Sequence, residues 1–198
     1  MINYRYLTSK AITAGFILYW MVFWLFNGLD KFLNRSSIGG LTWFGKDRNW
    51  QFGVYLENLG ISLDHVPAIL TFAGLWELVL SVLFLSALNV MLVAGEREQD
   101  ASDRLYVLAL FISALTFIGF SAFDTVVGDR AELLEHSTYM VVIAVSYICM
   151  AVENMVKRQR DTGLPAVFAQ TAPATKLKLN PVHTARQQDH RAVQTPAE

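Results

Sequence analysis

Residues 11–29 read AITAGFILYWMVFWLFNGL, a run of nineteen residues without a charged side chain. An α-helix rises about 1.5 Å per residue, so about 20 apolar residues cross the hydrocarbon of a bilayer. The run exceeds the apolar core of a signal peptide, and no small-residue cleavage pattern follows it. The segment therefore predicts an uncleaved transmembrane helix.

Three more segments downstream are similarly apolar. Pro67 suits the first turn of one of them, and Asp103 precedes the next as a candidate cap. The last has a strictly apolar centre of only 140–152, and its assignment depends on its neighbours and on the basic run at 157–160. The sequence predicts an all-α fold, a four-transmembrane-helix bundle over residues 1–156. The predicted spans cover residues 11–32, 67–93, 105–123 and 137–156.

Composition supports this class and excludes others. Hydrophobic side chains make up 54% of the chain and charged ones 17%, which is more apolar than soluble domains usually are. A net charge of −1 gives no basic field, so we expect no nucleic-acid partner. The single cysteine, Cys149, excludes an intrachain disulfide and a cysteine-rich metal site. Residues 157–198 are rich in proline and polar side chains, which predicts a disordered tail.

The distribution of basic residues predicts the orientation in the membrane. An even number of spans places both termini on one side. That side carries eleven Lys and Arg residues, counting the loop at 94–104, against five in the loops at 31–66 and 124–136. Because basic residues accumulate on the cytoplasmic side, we expect both termini and the tail in the cytoplasm.

Glu77 lies deep inside the second predicted span, where a carboxylate costs about 2.5–3.5 kcal/mol even on a lenient insertion scale. Its helical face carries the small residues Ala73, Gly74 and Ser81, which predicts that it points into the bundle. Two interpretations are open. Glu77 is either a neutral acid that donates one interhelical hydrogen bond, or a proton relay that contacts a ligand.

A second polar group gathers at the outer ends of the spans. One interpretation is a solvated loop, in which Glu132 and Glu135 favour the start of a helix through its dipole. The other is a polar cup at the mouth of the bundle, where Arg130 binds a carboxylate and His136 exchanges protons. No metal site is predicted, because His65 and His136 lack a third ligand. The candidate binding residues are Lys31, Asp124, Asp129, Arg130, Glu135 and His136.

The loop between the first two spans is dense in aromatic residues, among them Trp43 and Trp50. Residues 52–63 place apolar side chains at helical spacing, which predicts an amphipathic segment on the membrane surface. An interfacial aromatic belt and a docking surface for a partner subunit both fit this composition.

The first predicted span ends in FNGLDKF at 26–32, where a lysine closely follows a glycine, and the second carries AGLWEL at 73–78. This order of features resembles the DoxX-like family of small four-helix membrane proteins. The resemblance covers residues 11–95 and touches Gly28, Lys31, Gly74 and Glu77. It implies a multi-pass protein of the bacterial inner membrane linked to quinone or redox complexes; some members are subunits of a thiosulfate:quinone oxidoreductase.

The leading functional expectation is an accessory subunit of a redox or respiratory assembly. Its expected partners are membrane lipid and other subunits of the complex, and its only implied cofactor is a quinone. The alternatives are a quinone-linked oxidoreductase with Glu77 as proton donor and a small transporter. Four spans without an inverted repeat argue against the transporter.

Overall fold

The computed structural model describes residues 9–33, 36–93 and 99–162 of the chain. These residues form five α-helices, and a β-hairpin of two short strands, β1 (Ser37–Ile38) and β2 (Leu41–Thr42), follows the first. Four of the helices are long and apolar enough to cross a membrane, which confirms the all-α four-span fold and makes this a multi-pass membrane protein. The helices are α1 (Ala11–Leu33), α2 (Arg48–Asn58), α3 (Val66–Val93), α4 (Gln99–Val127) and α5 (Arg130–Thr162).

The helices that cross the membrane extend further than the predicted spans at several ends. The first two agree within one residue of 11–32 and 67–93, whereas α4 and α5 are longer than 105–123 and 137–156 at both ends. Polar residues continue these helices beyond their apolar centres. Residues 157–162, assigned above to the disordered tail, are the end of α5 instead, and the rest of the predicted tail lies outside the described residues.

Large aromatic side chains fill the centre of the bundle. The indole N–H groups of its two tryptophans are paired, because an unpaired donor is costly where no water is present. The indole of Trp20 donates to Ser146 Oγ and that of Trp24 to Ser113 Oγ, both at 3.0 Å. Fully buried aromatic residues of this core are Trp20, Trp24, Phe84, Tyr106 and Phe117.

The four long helices close into a ring in which α1 contacts α3 and α5, and α4 joins α3 to α5. At the end of the bundle where α1 begins and α5 ends, the carboxylate of Glu153 accepts the backbone N–H groups of Ile12 and Thr13, each at 3.0 Å. Lys10 Nζ lies 2.9 Å from Asp103 Oδ2 on the same end. These contacts cap the start of α1 and attach it to α4 and α5.

Candidate binding cavity

A cavity occupies the end of the bundle where α1 ends and α5 begins, which we call the cavity end. It holds about 620 Å³ of atom-free space, counting its open mouth, and all five helices contribute to its wall. One part of the wall is aromatic: Phe23, Trp24, Phe52, Phe117, Phe120, Phe123 and Tyr139. Another part is polar: Asn27, Lys31, Arg48, Gln51, Tyr55, Glu77, Asp124, Glu132, Glu135 and His136. Aromatic walls with a few polar groups are typical of small-molecule sites.

Glu77 is paired with Lys31 on the cavity wall. Lys31 Nζ lies 2.5 Å from Glu77 Oε2, and the two side chains are 7% and 3% exposed. The pair forms where α1 and α3 cross closely, because a Cβ atom at Gly28 would lie only 3.0 Å from the carbonyl oxygen of Gly74. Lys31 and Glu77 follow these glycines by three residues each, so the crossing brings them together. Sequence reasoning named both residues but did not join them.

A buried ion pair of this kind is a poor source of stability. Removing two charges from water costs several kcal/mol per ion, and the attraction between them repays this only with good geometry. Lys31 Nζ has a second, longer contact at 3.4 Å with the backbone oxygen of Asn27. The pair is therefore better explained by what it presents to the cavity than by what it adds to folding.

His136 forms a second pair on the opposite wall. Its Nδ1 lies 2.6 Å from Asp124 Oδ2, and its Nε2 lies 3.9 Å from Glu132 Oε2. The ring packs against Phe117 and Phe120, with centroids 5.8 and 5.2 Å away. The imidazole is therefore fixed by one carboxylate and lies close to a second.

Glu132 attaches helix α2 and the residues before it to the bundle. Its Oε1 accepts from Lys46, from Arg48 Nη1 at 3.4 Å and from Gln51 Nε2 at 3.1 Å. The sequence favoured the helix dipole as one explanation for Glu132 and named Arg130 as the cation of the alternative polar cup. In the structure Arg130 is exposed and lies outside the cavity, and the guanidinium on the cavity wall is that of Arg48.

Asp129 connects α2 to the start of α5. Its Oδ1 accepts the backbone N–H groups of Ala131 and Glu132 at 3.0 Å, which caps α5, and its Oδ2 accepts the hydroxyl proton of Tyr55. The hydrogen bond from Tyr55 lowers the pKa of Asp129, while burial, reinforced by the bond to Asp129, raises the pKa of Tyr55 far above its usual value. The proton therefore stays on the phenol and the carboxylate stays charged.

The structure brings most of the predicted site residues together. Asp129 does not line the cavity but forms a hydrogen bond with Tyr55, which does. Arg130 does not line the cavity either. The missed residues on α2, Arg48 and Gln51, share one helical face with Tyr55, and this spacing of three and four residues was the available sign. The predicted residues that line the cavity are Lys31, Glu77, Asp124, Glu135 and His136.

Comparison with family models, with curated proteins and with solved structures finds no significant match. The DoxX-like resemblance therefore stays a prediction. The four residues that carry it, Gly28, Lys31, Gly74 and Glu77, lie together at the crossing of α1 and α3.

Proposed function

We propose that this chain is a quinone-associated subunit of a membrane redox assembly, with the quinone ring held in the cavity. The observation that carries the proposal is the cavity itself, which joins aromatic walls to buried groups able to exchange protons. A planar ring fits against such walls, because aromatic faces stack favourably at a slight offset.

The residues on the wall suit the chemistry that a quinone supplies, which is the uptake of two electrons and two protons per ring. Lys31 and Glu77 stand on one wall, and His136 with Asp124 on another, so a ring between them meets a proton-exchanging pair on each side. Lys31 and His136 can donate hydrogen bonds to ring oxygens. The electrons would come from a partner subunit.

The loop at the cavity end supports a place in a larger assembly. Leu41, Phe44 and Trp50 are 79%, 88% and 70% exposed, and large apolar side chains exposed beside a membrane boundary suit contact with other subunits or with lipid. The basic residues counted above favour cytoplasmic termini. The cavity end would then face the outside of a bacterial inner membrane.

A second candidate is a quinone-linked oxidoreductase in its own right, in which Glu77 donates the proton. The placement of Glu77 on the cavity wall favours it. The two candidates differ in whether the chain needs partner subunits. An accessory subunit should co-purify with oxidoreductase subunits in mild detergent, whereas an independent enzyme should, without other subunits, reduce a quinone when given a reductant. A chain that purifies alone and still turns over would contradict the accessory role.

Binding is tested by extracting quinone from the purified protein and by titrating the delipidated protein with a short-tailed ubiquinone. We expect saturable binding, weakened about tenfold or more in Glu77→Gln, because a buried charged partner of Lys31 is lost. Glu57→Gln is the matched control, since Glu57 is exposed on α2 and does not line the cavity. Wild-type protein that carries no quinone and shows no saturable binding would overturn the proposal.

A further inference from the structure

The exposure of the lining residues locates the mouth of the cavity. Among the described residues that line it, Glu135 on α5 is the exposed one, and the others are buried or half-buried. Its carboxylate accepts a hydrogen bond of 2.7 Å from the hydroxyl of Tyr139, one helical turn further along. The cavity therefore opens beside this pair, on the α5 side of the bundle.

Contacts between the helices and across the cavity end close the other routes from the cavity to the protein surface near Glu135. Between α4 and α5, His136 bridges to Asp124 and packs on Phe120. Over the cavity end, the segment before α2 connects both walls, since Trp43 Nε1 donates to Asp30 of α1 at 2.7 Å and Lys46 pairs with Glu132 of α5.

The remaining route is the seam between α1 and α5, which we call the gap. Its lower edge is the contact of Phe23 with Tyr139, whose ring centroids are 4.6 Å apart. Above that contact and below the Lys46 bridge, no hydrogen bond, ion pair or ring contact among the described residues joins α1 to α5. The outer surface beside the gap is apolar, with Phe26 of α1 51% exposed and Leu134 of α5 70% exposed.

We infer that the cavity opens sideways into the bilayer through this gap, and that its ligand is a molecule dissolved in the membrane, with its ring in the cavity and a hydrocarbon tail left among the lipids. The inference rests on the proposed function for the identity of the ring and adds the tail and the route. Glu135 and Tyr139 are then positioning residues at the entrance. They are the first polar groups that an arriving ring meets.

The route is tested first without any quinone. An apolar photoreactive hydrocarbon dissolved in the bilayer of nanodiscs should label Phe117, which lies on the cavity wall and is only 1% exposed, as well as the lipid-facing Leu134. Glu135→Trp should fill the gap and abolish labelling of Phe117 while labelling of Leu134 persists. Leu134→Trp is the matched control and should leave Phe117 labelled. If Phe117 is unlabelled in the wild type, the sideways opening is wrong.

The second arm uses a decyl-tailed benzoquinone preloaded in the nanodiscs and measures its association rate by stopped flow. We expect Glu135→Trp to slow association about tenfold or more, and Leu134→Trp to leave it unchanged. Asn27→Trp, on the α1 wall of the cavity, should slow association in the same way. This second blocking variant keeps the test decisive if Glu135→Trp does not fold. Wild-type rates in both blocking variants would mean that the ligand enters from water past α2.

The two arms separate this inference from the proposed function. Wild-type protein that labels at Phe117 but binds no quinone would end the proposed function and leave the opening in place. Saturable quinone binding with no labelling of Phe117 and no effect of the blocking variants would contradict the sideways opening and leave the proposed function in place.

Discussion

Replacing Lys31 or Glu77 alone with methionine should destabilise the bundle far more than replacing both. The two side chains are 7% and 3% exposed, so either single variant leaves a charge buried without its partner. Such a loss typically costs about 3–5 kcal/mol. With about 2–4 °C per kcal/mol for a chain of this size, the melting temperature should fall by about 6–20 °C.

The double variant, Lys31→Met with Glu77→Met, should recover most of this loss. It leaves no charge to be desolvated, and methionine is close to both side chains in length and adapts to irregular space. Exchanging a whole buried ion pair for apolar side chains is often neutral or stabilising. The expected pattern is therefore two severe single variants and one mild double variant.

Thermal unfolding in detergent can be followed with a thiol-reactive fluorescent dye, because Cys149 on α5 is the only cysteine in the chain. Lys46→Met is the matched control: its partner is also a buried glutamate, but the Lys46 side chain is 49% exposed, and Glu132 keeps its contacts with Arg48 and Gln51. We therefore expect a loss of about 0–1 kcal/mol. A double variant that loses the sum of the two single losses, or single variants that lose no more than the control, would refute the argument.

Two further outcomes follow from the contacts between helices. Gly28→Ala should cost about 1–3 kcal/mol in the same thermal assay, since its Cβ would meet the backbone of Gly74, whereas Gly15→Ala, with nothing within 4 Å, should be neutral or slightly stabilising. The pKa of Asp129 is lowered in the folded chain, so its carboxylate should stay charged and keep the hydrogen bond from Tyr55 down to pH 3.8, the ordinary aspartate pKa. This hydrogen bond should weaken only as pH falls through the lowered pKa. Amide hydrogen exchange in α2 should therefore show the same protection factors at pH 7 and pH 5, and Asp129→Asn should lower them at both; a loss of protection already at pH 5 in the wild type would contradict this.

The extents of the helices show what hydropathy can and cannot predict. The apolar runs fill most of α1 and almost all of α3, so the predicted and observed bounds agree closely. In α4 and α5 the polar flanks form helix as well, because a helix needs capped ends and packed faces, not continuous apolar sequence. The amphipathic segment expected at 52–63 lies at Arg48–Asn58, since the side chain of Asp47 accepts the N–H of Trp50 and starts the helix earlier.

The site was predictable as a list of residues but not as a set of pairs. Lys31 was named from one span and Glu77 from another, and their pairing depends on the register between α1 and α3, which the close approach of Gly28 and Gly74 fixes. That register depends on how the surfaces of the two helices pack against each other, which the sequence of either helix alone does not show. Arg48 was missed for a similar reason: its spacing from Gln51 and Tyr55 indicates a shared helical face, but the position of that face over the cavity follows from how a long loop folds back onto α5.

The two ends of the bundle use their charges differently, and the difference argues for a ligand. At the end where α1 begins and α5 ends, Glu153 caps α1 and Lys10 joins α1 to Asp103, which accounts for those charges by structure alone. At the cavity end, Lys31 with Glu77 attaches helices that Gly28 and Gly74 already pack closely, although apolar side chains would do this at lower desolvation cost. Charged groups retained on a cavity wall at such a cost are best explained by a molecule that contacts them there.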